Sequence, residues 1–134
     1  MSLEIKYLGK IGNNLFQYCV SRLYAEKHEL IIENKLPERL NFIEFLKYEN
    51  PIMKPLIKKK QIMIRDMHFN IENCTFPYHG NRRYKFRGYY QNTLFLNKHS
   101  DRIMEYFKPF LNKKRIVKNK NDILVLIRLG EDFN

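Results

Sequence analysis

Residues Leu3 to His28 read as a single strand–turn–helix unit, and this unit restricts the fold more than any other stretch. Leu3-Glu4-Ile5-Lys6-Tyr7-Leu8 alternates as a short strand does. Gly9-Lys10-Ile11-Gly12-Asn13-Asn14 follows as a glycine turn. From about Asn14 to His28, Leu15, Phe16, Cys19, Val20 and Leu23 recur at three- and four-residue steps and share one face of a helix. Gln17, Ser21, Arg22 and Glu26 fall mostly on the other side. Asn13 or Asn14 is placed to cap the start by accepting from an orphan N–H. Such a turn lets backbone N–H groups and a small polar side chain come close to an anionic or sugar ligand.

The rest of the chain repeats the alternation of strand and helix. Leu30-Ile31-Ile32 is a short buried strand, and Pro37 marks a loop. Asn41 to Tyr48 reads as a short helix with Phe42, Phe45 and Leu46 inward, ended before Pro51. Gln61 to Met67 is a strand with Ile62 and Ile64 facing one way. Residues 68–83 carry loop signals, and Tyr84 to Tyr90 follows as a strand. Asn97 to Phe107 is a helix with Ser100 as its cap and Asp101 in its first turn. Ile103, Met104 and Phe107 are expected inward and Pro109 stops it. Lys113 to Asn121 is a basic linker or exposed turn. Ile123-Leu124-Val125-Leu126-Ile127 is apolar without a break, which suits a strand buried on both faces of a parallel sheet. The pattern predicts an α/β layer structure. Because this best central strand comes so near the last residue, the chain is expected to be the front part of a larger architecture. An uncovered central strand would favour a homo-oligomer or a swapped dimer.

Composition bounds the partners. The net charge is +11, from 25 basic and 14 acidic side chains. That balance favours polyanions or phosphorylated ligands. Two readings of the basic clusters stand: Lys58-Lys59-Lys60, Arg82-Arg83 with Lys85 and Arg87, and Lys113-Lys114-Arg115 are either contacts to such partners or solvated loops. Apolar residues make up 44% of the chain, enough for a core rather than disorder. There is no apolar run long enough to span a bilayer and no leader pattern. Cys19 and Cys74 form no paired motif, and Cys19 falls on the apolar helix face as a small core residue. A reduced, cytoplasmic setting is expected.

Three constellations have the residue types for chemistry. Arg128-Leu129-Gly130-Glu131-Asp132 follows the buried strand, at the end where parallel sheets collect ligands. Arg128 can fork onto a phosphate or diphosphate, or pair with Glu131 or Asp132 in a turn. Gly88-Tyr89-Tyr90-Gln91-Asn92 joins a strand to a polar turn. Its tyrosines and glutamine either contact a sugar or serve packing, one tyrosine inward and one outward. Gly9 and Gly12 lack the third glycine and the acidic partner of a dinucleotide fingerprint. His68, Cys74 and His79 match no zinc spacing. Arg82 to Tyr90 interleaves basic and aromatic residues but matches no nucleic-acid recognition module, so nucleic acid is not the favoured partner.

Taken in order, the three segments resemble those of the bacterial α-1,2-fucosyltransferase family. Gly9, Gly12, Asn13, Phe16, Gln17 and Tyr18 match its G-G-L-G-N-Q-x-F-Q-Y-A segment, with Asn14 in place of a glutamine. Gly88-Tyr89-Tyr90-Gln91 resembles its G-Y-F-Q segment. Leu126 to Glu131 resembles its H-x-R-R-G-D motif, with Leu126 for the histidine, Leu129 for the second arginine and Glu131 for the aspartate. The resemblance implies a GT-B-like enzyme that moves fucose from GDP-fucose to a sugar hydroxyl with inversion and without an essential metal or other cofactor. It implies a three-layer Rossmann-like acceptor-side lobe over residues 1–112, a linker at 113–121, and the first strand of a donor lobe at 122–134. Asn13 and its turn would face fucose and acceptor, and Arg128 would stabilise the departing diphosphate. Gly9, Gly12, Asn14, Gln17, Tyr90, Gln91, Gly130 and Glu131 would line the substrate cleft. The partners implied are a nucleotide sugar and a glycan acceptor. The alternative is a non-catalytic basic binding module. A chain holding mainly the first lobe is expected to show little or no transferase activity alone. Turnover of GDP-fucose by the 134-residue protein, abolished by Arg128→Ala, contradicts that expectation.

Overall fold

The computed structural model of the chain describes residues 1–33, 36–41, 44–47, 60–80 and 82–111. The basic linker, the apolar run at 123–127, and Arg128, Gly130 and Glu131 lie outside the described residues, as do Phe42, Lys58 and Lys59.

Four short strands, β1 (Ser2–Ile5), β2 (Ile31–Glu33), β3 (Gln61–Ile64) and β4 (Arg83–Phe86), form one sheet in the order β2-β1-β4-β3. Every pairing is parallel. Among the described residues three α-helices accompany it: α1 (Ile11–Lys27), α2 (Thr93–Lys98) and α3 (Ser100–Leu111). This is an α/β fold.

The strand period of two separates the sheet's faces cleanly. Leu3, Ile5, Ile32, Ile64, Tyr84 and Phe86 are buried on one face. Tyr24 of α1 packs onto that face, with ring centroids 4.9 Å from Phe86 and 5.7 Å from Tyr84. Phe76 and Tyr90 extend the aromatic layer, 5.8 and 5.1 Å from Phe86. The other face carries ion pairs. Arg83 forks onto Glu33 at 2.7 Å from both nitrogens, and Ser2 Oγ donates to the same carboxylate at 2.7 Å. Lys85 reaches Glu4 at 2.9 Å. The register sets Glu4 directly against Glu33, and Arg83, within 3.4 Å of Glu4 as well, offsets that like-charge pairing.

Helix α1 differs from expectation in start and facing. It begins at Ile11, with Lys10 at the N-cap and no side-chain cap, so Asn13 and Asn14 are inside it. Gln17 and Ser21 are fully buried, whereas Phe16 is 37% exposed. The physical reason is that tyrosines do the packing: Tyr18 meets Phe45 at 5.0 Å and Tyr24 meets β4, which rotates the buried face away from Phe16. Cys19 is buried as expected, and burial pushes its thiol up to about 12.

Other boundaries also shift. β4 stops at Phe86 and β3 at Ile64, where Asp66–His68 turns as a 3-10 helix. The helix expected from Asn41 is a 3-10 turn at Glu44–Leu46, with Phe45 and Leu46 buried. The single helix expected at 97–107 is a pair. Asn92 caps α2 by accepting from Phe95 N at 3.0 Å, and the chain breaks at His99 before α3. Pro109 lies inside α3 rather than ending it. Met104 is exposed, and Tyr106 faces α1 instead, its hydroxyl donating to Glu26 at 2.7 Å. Among the described residues no helix is long and apolar enough to cross a membrane.

The C-terminal ends of α1 and α2 border a small pocket of about 260 Å³ containing His28 and His99. His28 stacks on Tyr78 at 4.0 Å. Burial first, then Lys27 near His28 and Lys98 near His99, hold both imidazoles below the usual histidine range. The folded state thus prefers them neutral. Their contribution is complete above the unfolded value of about 6.5 and is lost as pH falls through the lower folded values. The urea midpoint should fall between about pH 7 and about pH 5.5. The double variant His28→Phe, His99→Phe should flatten this slope; an unchanged slope contradicts the assignment.

Candidate functional site

The carboxyl ends of β1 and β4 lie side by side, because these strands pair over their full length. Lys6 N donates to Phe86 O at 2.8 Å, so both chains leave the sheet at the same level. The loop after β1 leads into α1, and the loop after β4 leads into α2. In parallel sheets this edge is where ligands collect.

The first loop is tied down by amide side chains. Gln17 pairs with the Leu8 peptide on both sides: Leu8 N donates to Gln17 Oε1 at 3.1 Å, and Gln17 Nε2 donates to Leu8 O at 3.1 Å. Asn14 Nδ2 donates to Leu8 O at 2.8 Å and to Gln17 Oε1 at 3.0 Å. Both amides are fully buried. Arg39 reaches in from the 3-10 turn at Glu38–Leu40 and donates to Asn14 Oδ1 at 3.1 Å. Gly9 then turns the chain at φ +71°. A Cβ there would stand 2.5 Å from Asn13 Nδ2 and 3.1 Å from the Tyr89 ring, so this position needs glycine twice over. Gly12 has open space around it.

Asn13 points about 100° around the helix from Asn14 and meets the second loop. Gln91 Nε2 donates to Asn13 Oδ1 at 2.6 Å. Gly9, Gly12, Asn13 and Gln91 line one solvent-open cleft of about 1170 Å³ together with Phe16 and Arg39. The structure therefore brings these four expected site residues together. Asn14 and Gln17 sit beneath the cleft in the amide cluster. Tyr90 is 1% exposed, its hydroxyl donating to Ile64 O at 2.6 Å. Burial, then the Asp66 carboxylate, push its phenol above the usual range, which keeps the hydroxyl protonated as a donor. Tyr90 is thus the inward tyrosine and Tyr89, 48% exposed, the outward one.

The chemistry on offer is recognition. With Asn13 Oδ1 occupied by Gln91, Asn13 Nδ2 and Gln91 Oε1 remain as a donor and an acceptor at the cleft. A hydroxyl uses both. The first turn of α1 has neither an acidic residue nor a side-chain cap, so its N–H groups favour negative charge beside Lys10 and Arg39. No carboxylate, imidazole or thiol lines the cleft among the described residues. Likewise, no group of three or more His, Cys, Asp or Glu is placed to hold a metal ion among them. Sequence reasoning missed Arg39. It lies in a loop-like stretch after Pro37, and only the folded contact to Asn14 carries it to the cleft. No protein-family model, curated protein or solved structure matches the chain.

The two kinds of amide should separate in stability. Gln17→Leu keeps the volume but leaves Leu8 N without its acceptor and Leu8 O with Asn14 Nδ2 alone, and should cost about 2–3 kcal/mol. Asn13→Ala at the cleft should cost under about 0.5 kcal/mol. Urea unfolding of both variants checks this, and equal losses contradict it.

Proposed function

We propose that the chain is the acceptor-side lobe of a GT-B-like glycosyltransferase that uses GDP-fucose. The observation that carries this reading is the Gln91–Asn13 hydrogen bond at 2.6 Å. It unites, at the carboxyl edge of a parallel sheet, two segments that each resemble the α-1,2-fucosyltransferases. In this reading Asn13 Nδ2 and Gln91 Oε1 contact sugar hydroxyls. The first turn of α1, Lys10 and Arg39 supply positive potential to the donor. Arg128 takes the role that the resemblance implies: it stabilises the diphosphate as it gains negative charge on leaving, a task a fixed guanidinium performs without a metal. The acceptor hydroxyl oxygen bonds to the anomeric carbon opposite the departing GDP as the bond from that carbon to the diphosphate oxygen breaks; the hydroxyl proton passes to the departing diphosphate or to water, and the configuration inverts.

A second reading, a non-catalytic basic binding module, draws on the net charge of +11. Such a module is either a degenerate transferase remnant or a nucleic-acid binder, and the latter requires binding to single-stranded nucleic acid that weakens steeply with added salt.

Saturation-transfer NMR with GDP-fucose separates the two. The transferase reading expects transfer to the fucose protons, with affinity reduced roughly five- to tenfold by Asn13→Ala or Gln91→Ala and more strongly by Arg128→Ala. No transfer at millimolar donor, together with salt-sensitive binding of single-stranded RNA or DNA, would replace it with the second reading.

A further inference from the structure

The loop that presents Gln91 is held by a residue from another strand. β3 ends at Ile64, and Asp66 opens the 3-10 turn that follows. The Asp66 carboxylate bridges two successive N–H groups of the loop after β4. Oδ2 accepts from Tyr89 N at 2.9 Å and Oδ1 from Tyr90 N at 2.6 Å. Gly88 makes this approach possible, since a Cβ there would collide with the same carboxylate. At its other end Tyr90 is anchored by its hydroxyl on Ile64 O, which also accepts from Arg87 N at 3.0 Å.

Pinned at backbone and hydroxyl, Tyr90 takes φ +55°, in the left-handed region that an aromatic residue avoids unless its surroundings impose it. The next residue is Gln91, which this turn delivers onto Asn13 Oδ1. An extended backbone at Tyr90 would send Gln91 elsewhere.

We propose that Asp66 is a positioning residue of the carboxyl-edge cleft. It touches no ligand. By holding the Tyr89 and Tyr90 N–H groups it maintains the left-handed turn that sets Gln91 against Asn13, and so keeps the donor–acceptor pair of the cleft in register. Two N–H groups on one ionised carboxylate form charge-assisted bonds, stronger than a neutral amide oxygen provides. Asp66 is exposed, so its replacement leaves no buried charge and the sheet should persist. An effect on GDP-fucose binding rests on the transferase reading above; the positioning of Gln91 does not.

The test is the side-chain amide signals of Gln91 and Asn13 in the free protein. Asp66→Asn removes the charge and turns one acceptor into a donor that faces an N–H. The Gln91 side-chain resonances should then move to the positions they take in Asn13→Ala, where their acceptor is missing, while the amides of Leu3 and Tyr84 stay put. Gln91 signals unmoved in a folded Asp66→Asn protein would overturn the proposal. Should that variant not fold, amide exchange at Tyr89 and Tyr90 in the wild-type protein decides. Protection of both supports the clamp, and exchange at the free-peptide rate rejects it. A second arm measures GDP-fucose affinity. Asp66→Asn should lose about as much as Gln91→Ala, and the double variant no more. If the wild-type protein binds no GDP-fucose, the transferase reading fails while the free-protein arm still judges Asp66.

Discussion

The cleft depends on the parallel pairing of β1 with β4. These two strands are far apart in the chain, yet Ser2–Ile5 runs beside Arg83–Phe86 with no offset. The register has a physical lock on each face. Leu3 and Tyr84 are both at 0% exposure on the apolar side, and Glu4 and Lys85 are paired on the charged side. A slip of one residue would turn Tyr84 and Phe86 toward the ion pairs and bring Arg83 and Lys85 into the core. Because that alternative is so costly, the two following loops always leave the sheet together, and Asn13 and Gln91 can meet.

Neighbouring asparagines then divide two tasks by helix geometry alone. Asn14 and Gln17 are three residues apart and share a face of α1, so both turn toward Leu8 and saturate its peptide. Asn13, one residue earlier, points about 100° away and reaches the loop after β4. The buried amides fix where the loop runs, and the outer pair carries the free donor and acceptor. The same division recurs at the second loop, where Tyr90 is anchored inside and Gln91 is presented outside.

Much of this architecture was legible in the sequence. Alternation revealed β1, and three- and four-residue spacing revealed α1, because both periods follow from backbone geometry. Gly9 was legible as a tight turn, and its φ of +71° is the reason glycine stands there. The facing of α1 differs because spacing puts Gln17 on the polar side and gives Tyr18 and Tyr24 no facing, while all three are buried with their polar atoms satisfied. The break between α2 and α3 at His99 carries no glycine or proline signal. Arg39 and Asp66 were invisible for a different reason. Each acts through one long-range contact, to Asn14 or to the Tyr89–Tyr90 backbone, and no local pattern encodes such a contact.

We propose that the paired carboxyl ends of β1 and β4 form the ligand site. Mapping backbone amide shifts of the isotopically labelled protein on addition of GDP-fucose tests it most directly. The largest changes are expected at Gly9, Gly12, Asn13, Arg39 and Gln91. Changes concentrated at Glu26, His28 and His99, at the opposite end of α1, or no changes at all, would contradict it.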